Sequence, residues 1–285
     1  MDSDYITTRI SIIRECSHFL LTLRIKIPNR EDGRLPTLNE FDAMMRINLW
    51  SSPRNISTAL MYSFAQREDT TVVDEPLYAF YLQHTKSKAS HPGEKEIMAS
   101  QSANGEAVVT EVILGQHYPT PVVVHKQMTH HLLHLDKAFL HDCKNVMLIR
   151  DPRAILASYT KVIQEPTPYD IGIPQQAELY EYLKQHNLLT AIVDAQTLLK
   201  DPARILQQLC SKLDLGFDEQ MLSWSAGPRP EDGIWAPYWY HNVHQSTGFK
   251  PYVARNIELP QRLEKLAQEC LPAYEQLLED ERCLS

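Results

Sequence analysis

The sequence predicts an α/β fold in which helices cover both faces of a parallel sheet. Three observations carry this expectation. Short β-rich runs at 46–50, 71–74, 121–126, 145–150 and 188–193 alternate with helical patterns at about 57–66, 94–103, 129–142, 152–164 and 197–213. Two junctions, at 49–60 and 146–158, each read as an apolar strand, a short polar turn with Pro-Arg, and a helix. The 285 residues, 43% of them hydrophobic, are enough for one large domain or two small ones with a sizeable core.

Residues 1–44 read as a poorly structured N-terminal extension. They are mixed in charge, carry Pro28, Gly33 and Pro36 near their end, and show no evident partner strand. The domain is expected to span 45–285, since Met45 stands directly before the first convincing strand. A net charge of −8 argues against a general nucleic-acid binder, which needs a basic face to release counterions. It leaves room for a basic pocket that takes a small anion. Five scattered cysteines (Cys16, Cys143, Cys210, Cys270, Cys283) lack metal or redox spacing and read as reduced thiols of a cytoplasmic enzyme. No run approaches the roughly 20 apolar residues needed to cross a bilayer, and Phe19–Leu23 is too short and too charged at its flanks for a signal peptide. A soluble protein with no membrane partner is expected.

The first junction, Leu49 to Leu60, offers Pro53-Arg54-Asn55-Ile56 and then Ser57-Thr58 at a helix start. Unpaired N–H groups and the positive end of the peptide dipole make such a start an anion site. The loop lacks the GxxxxGK[ST] of nucleotide triphosphatases, which counts against hydrolysis of a triphosphate. It suits one phosphate held by N–H groups, Arg54, Asn55 and the hydroxyls of Ser57 and Thr58. An ordinary Ser/Thr helix cap is the alternative.

The strand at 71–74 leads into Asp74-Glu75-Pro76-Leu77, whose carboxylates either cap a following helix or act on a substrate proton. The strand at 121–126 ends on Lys126, with His125, His130 and His131 nearby. His130, His134 and His141 would share one stripe of a helix over 129–142, but no carboxylate accompanies them and no metal site is expected. The second junction, Val146 to Ser158, is marked more sharply. Asp151 is an N-cap, Pro152 the first helical residue, and Arg150 and Ser158 stand eight residues apart. Two anion-binding helix starts in one chain point to a ligand with an anionic group at each end. Residues 225–258, rich in Pro, Gly, Trp and Tyr, read as a long loop, which in a domain of this kind is more often functional than accidental. An amphipathic helix over about 259–279 closes the chain.

Through these segments residues 46–255 resemble the sulfotransferase family, in its soluble bacterial and fungal form, whose donor is 3′-phosphoadenosine-5′-phosphosulfate (PAPS). The resemblance implies a P-loop NTPase-like five-stranded parallel sheet with the first strand between the third and fourth. It assigns Pro53-Arg54-Asn55-Ile56-Ser57 to the 5′-phosphate loop, Asn55-Ile56 replacing the family's usual Ser-Gly. Arg150 and Ser158 take the positions that hold the 3′-phosphate. Lys126 stands where many members have a strand-ending lysine, but Met128 occupies their catalytic histidine position. Glu75, in a Glu-Pro-Leu segment, is therefore the expected base, and His130 the alternative. Ser246-Thr247-Gly248-Phe249-Lys250 takes the place of the late donor loop: Gly248 for close approach, Phe249 on adenine, Lys250 on the 3′-phosphate.

The expected reaction is sulfuryl transfer to a hydroxyl or amine of a small-molecule acceptor. Arg54 and Lys126 would stabilise charge on the sulfuryl group and the departing phosphate oxygen. The competing readings are a small-molecule kinase or NTPase on the same scaffold, and a nucleotide-binding protein without catalysis, the latter favoured if Glu75 and His130 both point away from the pocket. The Trp/Tyr cluster at 235–240 would suit a flat acceptor ring, or core packing equally well.

Overall fold

The computed structural model describes Tyr5–Arg9, Thr22–Lys26 and residues 44–285, apart from 86–90, 161–164 and 255. The chain divides into two units, 1–42 and 43–285. In the first, β1 (Tyr5–Arg9) and β2 (Thr22–Lys26) pair antiparallel with each other, so this stretch does contain a strand pairing.

The second unit is built on five strands: β3 (Met45–Ser51), β4 (Thr70–Asp74), β5 (Val122–Met128), β6 (Lys144–Ile149) and β7 (Leu189–Asp194). All pair in parallel in the order β4-β5-β3-β6-β7, which places the first strand of this unit between its third and fourth. β3 runs Ile47-Asn48-Leu49-Trp50-Ser51 with every residue buried, as a strand covered on both faces must. One core lies on the α1 side, where Leu60, Met61 and Phe64 meet Ile47, Leu49, Val124 and Leu148. The other packs Trp50, Met147 and Ile192 against Leu179, Leu183 and Leu277. Two polar side chains of β3 share one acceptor inside the sheet: Asn48 Nδ2 and Trp50 Nε1 both donate to Asn145 Oδ1, at 3.3 and 3.1 Å.

The helices follow the strands: α1 (Ser57–Phe64), α2 (Tyr78–His84), α3 (Glu94–Ser100), α4 (Gly105–Ala107), α5 (Pro152–Tyr159), α6 (Ile173–Gln185), α7 (Ala195–Lys200), α8 (Pro202–Lys212), α9 (Ala236–Trp239), α10 (His241–His244) and α11 (Gln261–Leu278). Four expectations need correction. The helix over 129–142 does not form: a single 3₁₀ turn at Thr129–His131 and another at Ala138–Asp142 replace it. Asp136 caps the Ala138 N–H, a local hydrogen bond that competes with helix continuation, and the shared stripe of His130, His134 and His141 disappears with the helix. The helix over 197–213 is two helices, because Asp201 ends α7 and caps α8, with Pro202 at its first turn. Residues 225–258 are not structureless, since α9 and α10 lie within them. Neither Asp74 nor Glu75 caps α2, whose N-cap position is Leu77. α6 was not anticipated, although Pro174 in its first turn and the spacing of Leu179, Tyr180 and Leu183 announce it.

The helix over 152–164 is described only to Tyr159, its last four positions lying outside the described residues. No helix among the described residues is long and apolar enough to cross a membrane.

Candidate active site

The carboxyl ends of β3, β4, β5 and β6 open into one cleft of about 720 Å³. Open α/β sheets bind ligands at this edge. Arg54, Asn55, Ser57 and Thr58 line it, together with Glu75, Lys126, His130, Arg150 and Ser158, and with Ser246, Gly248, Phe249 and Lys250 from the late segment. Thr247 is the exception among the sequence candidates. Its side chain does not line the cleft, and its carbonyl accepts from the Trp224 N–H at 3.1 Å, in the strip where Ser223 bridges Gly248.

The loop between β3 and α1 turns on two left-handed residues, Arg54 at φ 60° and Ile56 at φ 47°. Alternation of this kind turns successive N–H groups inward and makes an anion-binding concavity. No side chain caps α1, so its first N–H groups are left for a ligand. A β-branched residue in this conformation is strained, and Ile56 tolerates it while packed against the core. Asn55 fixes the loop from beneath by donating to the Leu148 carbonyl at 2.6 Å. The two phosphate-type junctions touch directly. Arg54 Nε donates to Ser158 Oγ at 3.0 Å, and Arg150 Nη1 donates to the Arg54 carbonyl at 2.5 Å. Arg54 also lies over the Trp239 ring, 5.9 Å from its centroid.

Across the cleft a buried ionic cluster joins β4, β5 and the late segment. Successive strand residues point to opposite faces. Glu75 escapes that rule because its φ of 40° reverses the chain just past the end of β4. Its N–H donates to the Lys126 carbonyl at 2.9 Å, and its carbonyl accepts from Gln101 Nε2 at 3.1 Å. Asp74 and Glu75 can therefore both reach one ammonium. Lys126 Nζ donates to Asp74 Oδ1 at 2.9 Å, to Glu75 Oε1, and to the Tyr240 hydroxyl at 2.9 Å. Burial works against the Lys126 charge, but the two carboxylates outweigh it and hold the ammonium above its ordinary range. Burial raises the Glu75 carboxyl to about 7 against the opposing pull of Lys126, with Asp74 adding to the rise.

His130 and His131 follow β5 in the 3₁₀ turn and are buried among rings. His131 stacks on Tyr78 and Tyr81, with centroids 4.7 and 4.6 Å away, and its Nδ1 lies 3.9 Å from Glu75 Oε2. Desolvation drives His130 down to about 3, leaving a neutral imidazole of little basicity. Met128, at the family's histidine position, lines the cleft. Sequence reasoning missed Asp74 as a partner of Lys126 and read Tyr240 only as one ring of an aromatic cluster, not as a partner of Lys126. The adjacency of Asp74 and Glu75 was a visible signal for the first, whereas nothing local singles out Tyr240. Trp235 and Tyr240 are largely buried, joined by the Trp235 Nε1 donation to the Tyr240 hydroxyl, and both contribute to the wall of the cleft.

The sulfotransferase domain family model matches residues 45–279. The chain belongs to the sulfotransferase family. Its sulfotransferase domain is built on a five-stranded parallel sheet flanked by helices. Mouse sulfotransferase SULT7A1 complexed with PAP is similar in fold, with a TM-score of 0.51, 12% identity, and coverage of 84% of this chain and 86% of that one. Two curated proteins of Arabidopsis thaliana, branched-chain-amino-acid aminotransferase-like proteins 2 and 1, are 39% and 41% identical over 231 residues. That alignment covers 80% of this sulfotransferase but 40% of each relative, so the chain spans well under half of their length.

Proposed function

We propose that this sulfotransferase takes its sulfuryl group from PAPS and passes it to a hydroxyl or amine of a small-molecule acceptor. The single observation that carries the reading is the meeting of two anion-type loops, Arg54–Ser57 and Arg150–Ser158, in one cleft with direct contacts between them. The residues fit a doubly anionic nucleotide. The uncapped start of α1, with Ser57 and Thr58, would hold the 5′-phosphate end, and Arg150 and Ser158 the 3′-phosphate, with Lys250 beside it. Gly248 would bring the backbone close, and Phe249 would offer a ring to the base. Its own ring meets Trp224 edge-on, 5.2 Å away, which fixes its orientation.

The donor supplies the sulfuryl group and a phosphate leaving group. Glu75 takes the acceptor proton on Oε2, the oxygen that Lys126 does not use. Arg54 sets its guanidinium against charge on the leaving oxygen, and Lys126 adds a fixed positive charge behind the carboxylate. Glu75 is the better proton acceptor than His130, since burial lifts the carboxyl toward neutrality and strips the imidazole of basicity. Glu75 and His130 both belong to the wall of the cleft, which supports a catalytic reading over a purely nucleotide-binding one.

The test is nucleotide binding by calorimetry. A charge-assisted phosphate contact contributes ~1.5–3 kcal/mol, or roughly 10- to 150-fold in affinity. Arg150→Ala should weaken adenosine 3′,5′-bisphosphate by that factor and leave adenosine 5′-phosphate nearly unchanged. Equal losses for both nucleotides would sink the assignment.

A further inference from the structure

We propose that Asp74 and Tyr240 are positioning residues that together occupy Lys126, so that Glu75 keeps one oxygen free and carries the unbalanced negative charge of the site. The inference rests on the reading of Glu75 as the base and names what makes it one.

An ammonium has three N–H donors. All three of Lys126 are committed, one each to Asp74, Glu75 and Tyr240. The Tyr240 hydroxyl accepts from Lys126 and from Trp235 Nε1 at 3.0 Å, so its own proton goes to Asp74 Oδ2, at 2.6 Å. Gly233 N–H adds a second donor to the same oxygen at 3.0 Å. Three donors thus converge on the two oxygens of Asp74, one on Oδ1 and two on Oδ2. Two carboxylates share one ammonium, and Asp74 holds the larger number of donors. Glu75 receives the Lys126 donor on Oε1, and His131 Nδ1 stands 3.9 Å from its Oε2, beyond hydrogen-bond distance.

The groups facing Glu75 are Lys126 from β5, Asp74 from β4, Tyr78 from α2, His131 from the 3₁₀ turn and Tyr240 from the late segment. Among these Asp74 is the neighbouring anion, and its charge resists ionisation of Glu75. Gly233 and Tyr240 both belong to the late segment, so docking of that segment on Asp74 completes the arrangement.

The deciding measurement is a pH titration of the Glu75 carboxyl by ¹³C NMR on the full chain, assigned with Glu75→Gln, and it needs no acceptor. Asp74→Asn removes the competing anion at constant shape and should lower the Glu75 midpoint by about 1 unit or more. Tyr240→Phe frees one Lys126 donor for Glu75 and should move the midpoint in the same direction by less, in a protein that melts as a single folded species. A midpoint unmoved or raised in both variants overturns the proposal, as does a wild-type Glu75 that stays ionised throughout pH 5–9. Binding of adenosine 3′,5′-bisphosphate, measured separately, reports on the donor reading alone. Its loss in the unaltered protein would remove that reading and leave the titration result standing.

Discussion

At the scale of residues, function in this sulfotransferase turns on how few groups are left uncommitted. Glu75 lines the cleft and gives Lys126 only one of its two oxygens. Glu75→Gln keeps its shape and removes the proton acceptor. Turnover should fall by about 10²–10⁴ while affinity for adenosine 3′,5′-bisphosphate stays constant in parallel binding measurements. The same assignment fixes the sign of the pH dependence. A base with its carboxyl raised to about 7 is protonated and idle below that value, so kcat/KM should rise with pH through a limb near 7. A flat profile between pH 5 and 8 would contradict it. That Arg150, Ser158 and Lys126 line one cleft was legible in the sequence, because each stands at or just past a strand end and the resemblance marks those positions. The partnership of Tyr240 was not, since it reaches Lys126 across 114 residues and only the folded chain relates them.

At the scale of elements, strands were legible to within one or two residues, because a strand buried on both faces carries a short apolar run such as Val122-Val123-Val124 or Val146-Met147-Leu148-Ile149. Helices were less so. The span 129–142 has apolar residues at helical spacing, yet three buried side chains, Thr129, His130 and His131, find better packing in a single tight turn. The loop before α1 carries its own test. Ile56 sits at φ 47°, where an L-residue loses about 1–2 kcal/mol that glycine does not. Ile56→Ala loses packing and keeps the strain, whereas Ile56→Gly loses packing and relieves it. The glycine variant should therefore be the more stable of the two by about 1 kcal/mol in urea melts, the reverse of the usual order at helical positions. Alanine coming out ahead would mean that the loop is not strained in solution.

At the scale of the molecule, the order of the sheet was legible through resemblance rather than periodicity, since alternation alone fixes parallel pairing and not which strand lies in the centre. Every strand of that sheet and every residue lining the cleft lies within 45–285, and Met45 already pairs with Val122. We therefore propose 1–44 as an accessory segment. A chain starting at Met45 should bind adenosine 3′,5′-bisphosphate as the full chain does and melt within a few degrees of it. A drop of ~3 kcal/mol in stability, or insoluble protein, would assign the segment a covering role. The central position of β3 also has a consequence for birth on the ribosome. It is the first strand of its sheet to be made, yet its partners begin at Val122 and Lys144. At about 5–20 residues per second, the apolar run Ile47–Trp50 waits several seconds for its first neighbour and longer for its second. During that interval both edges of the strand stand without their partners, which leaves it open to wrong pairing.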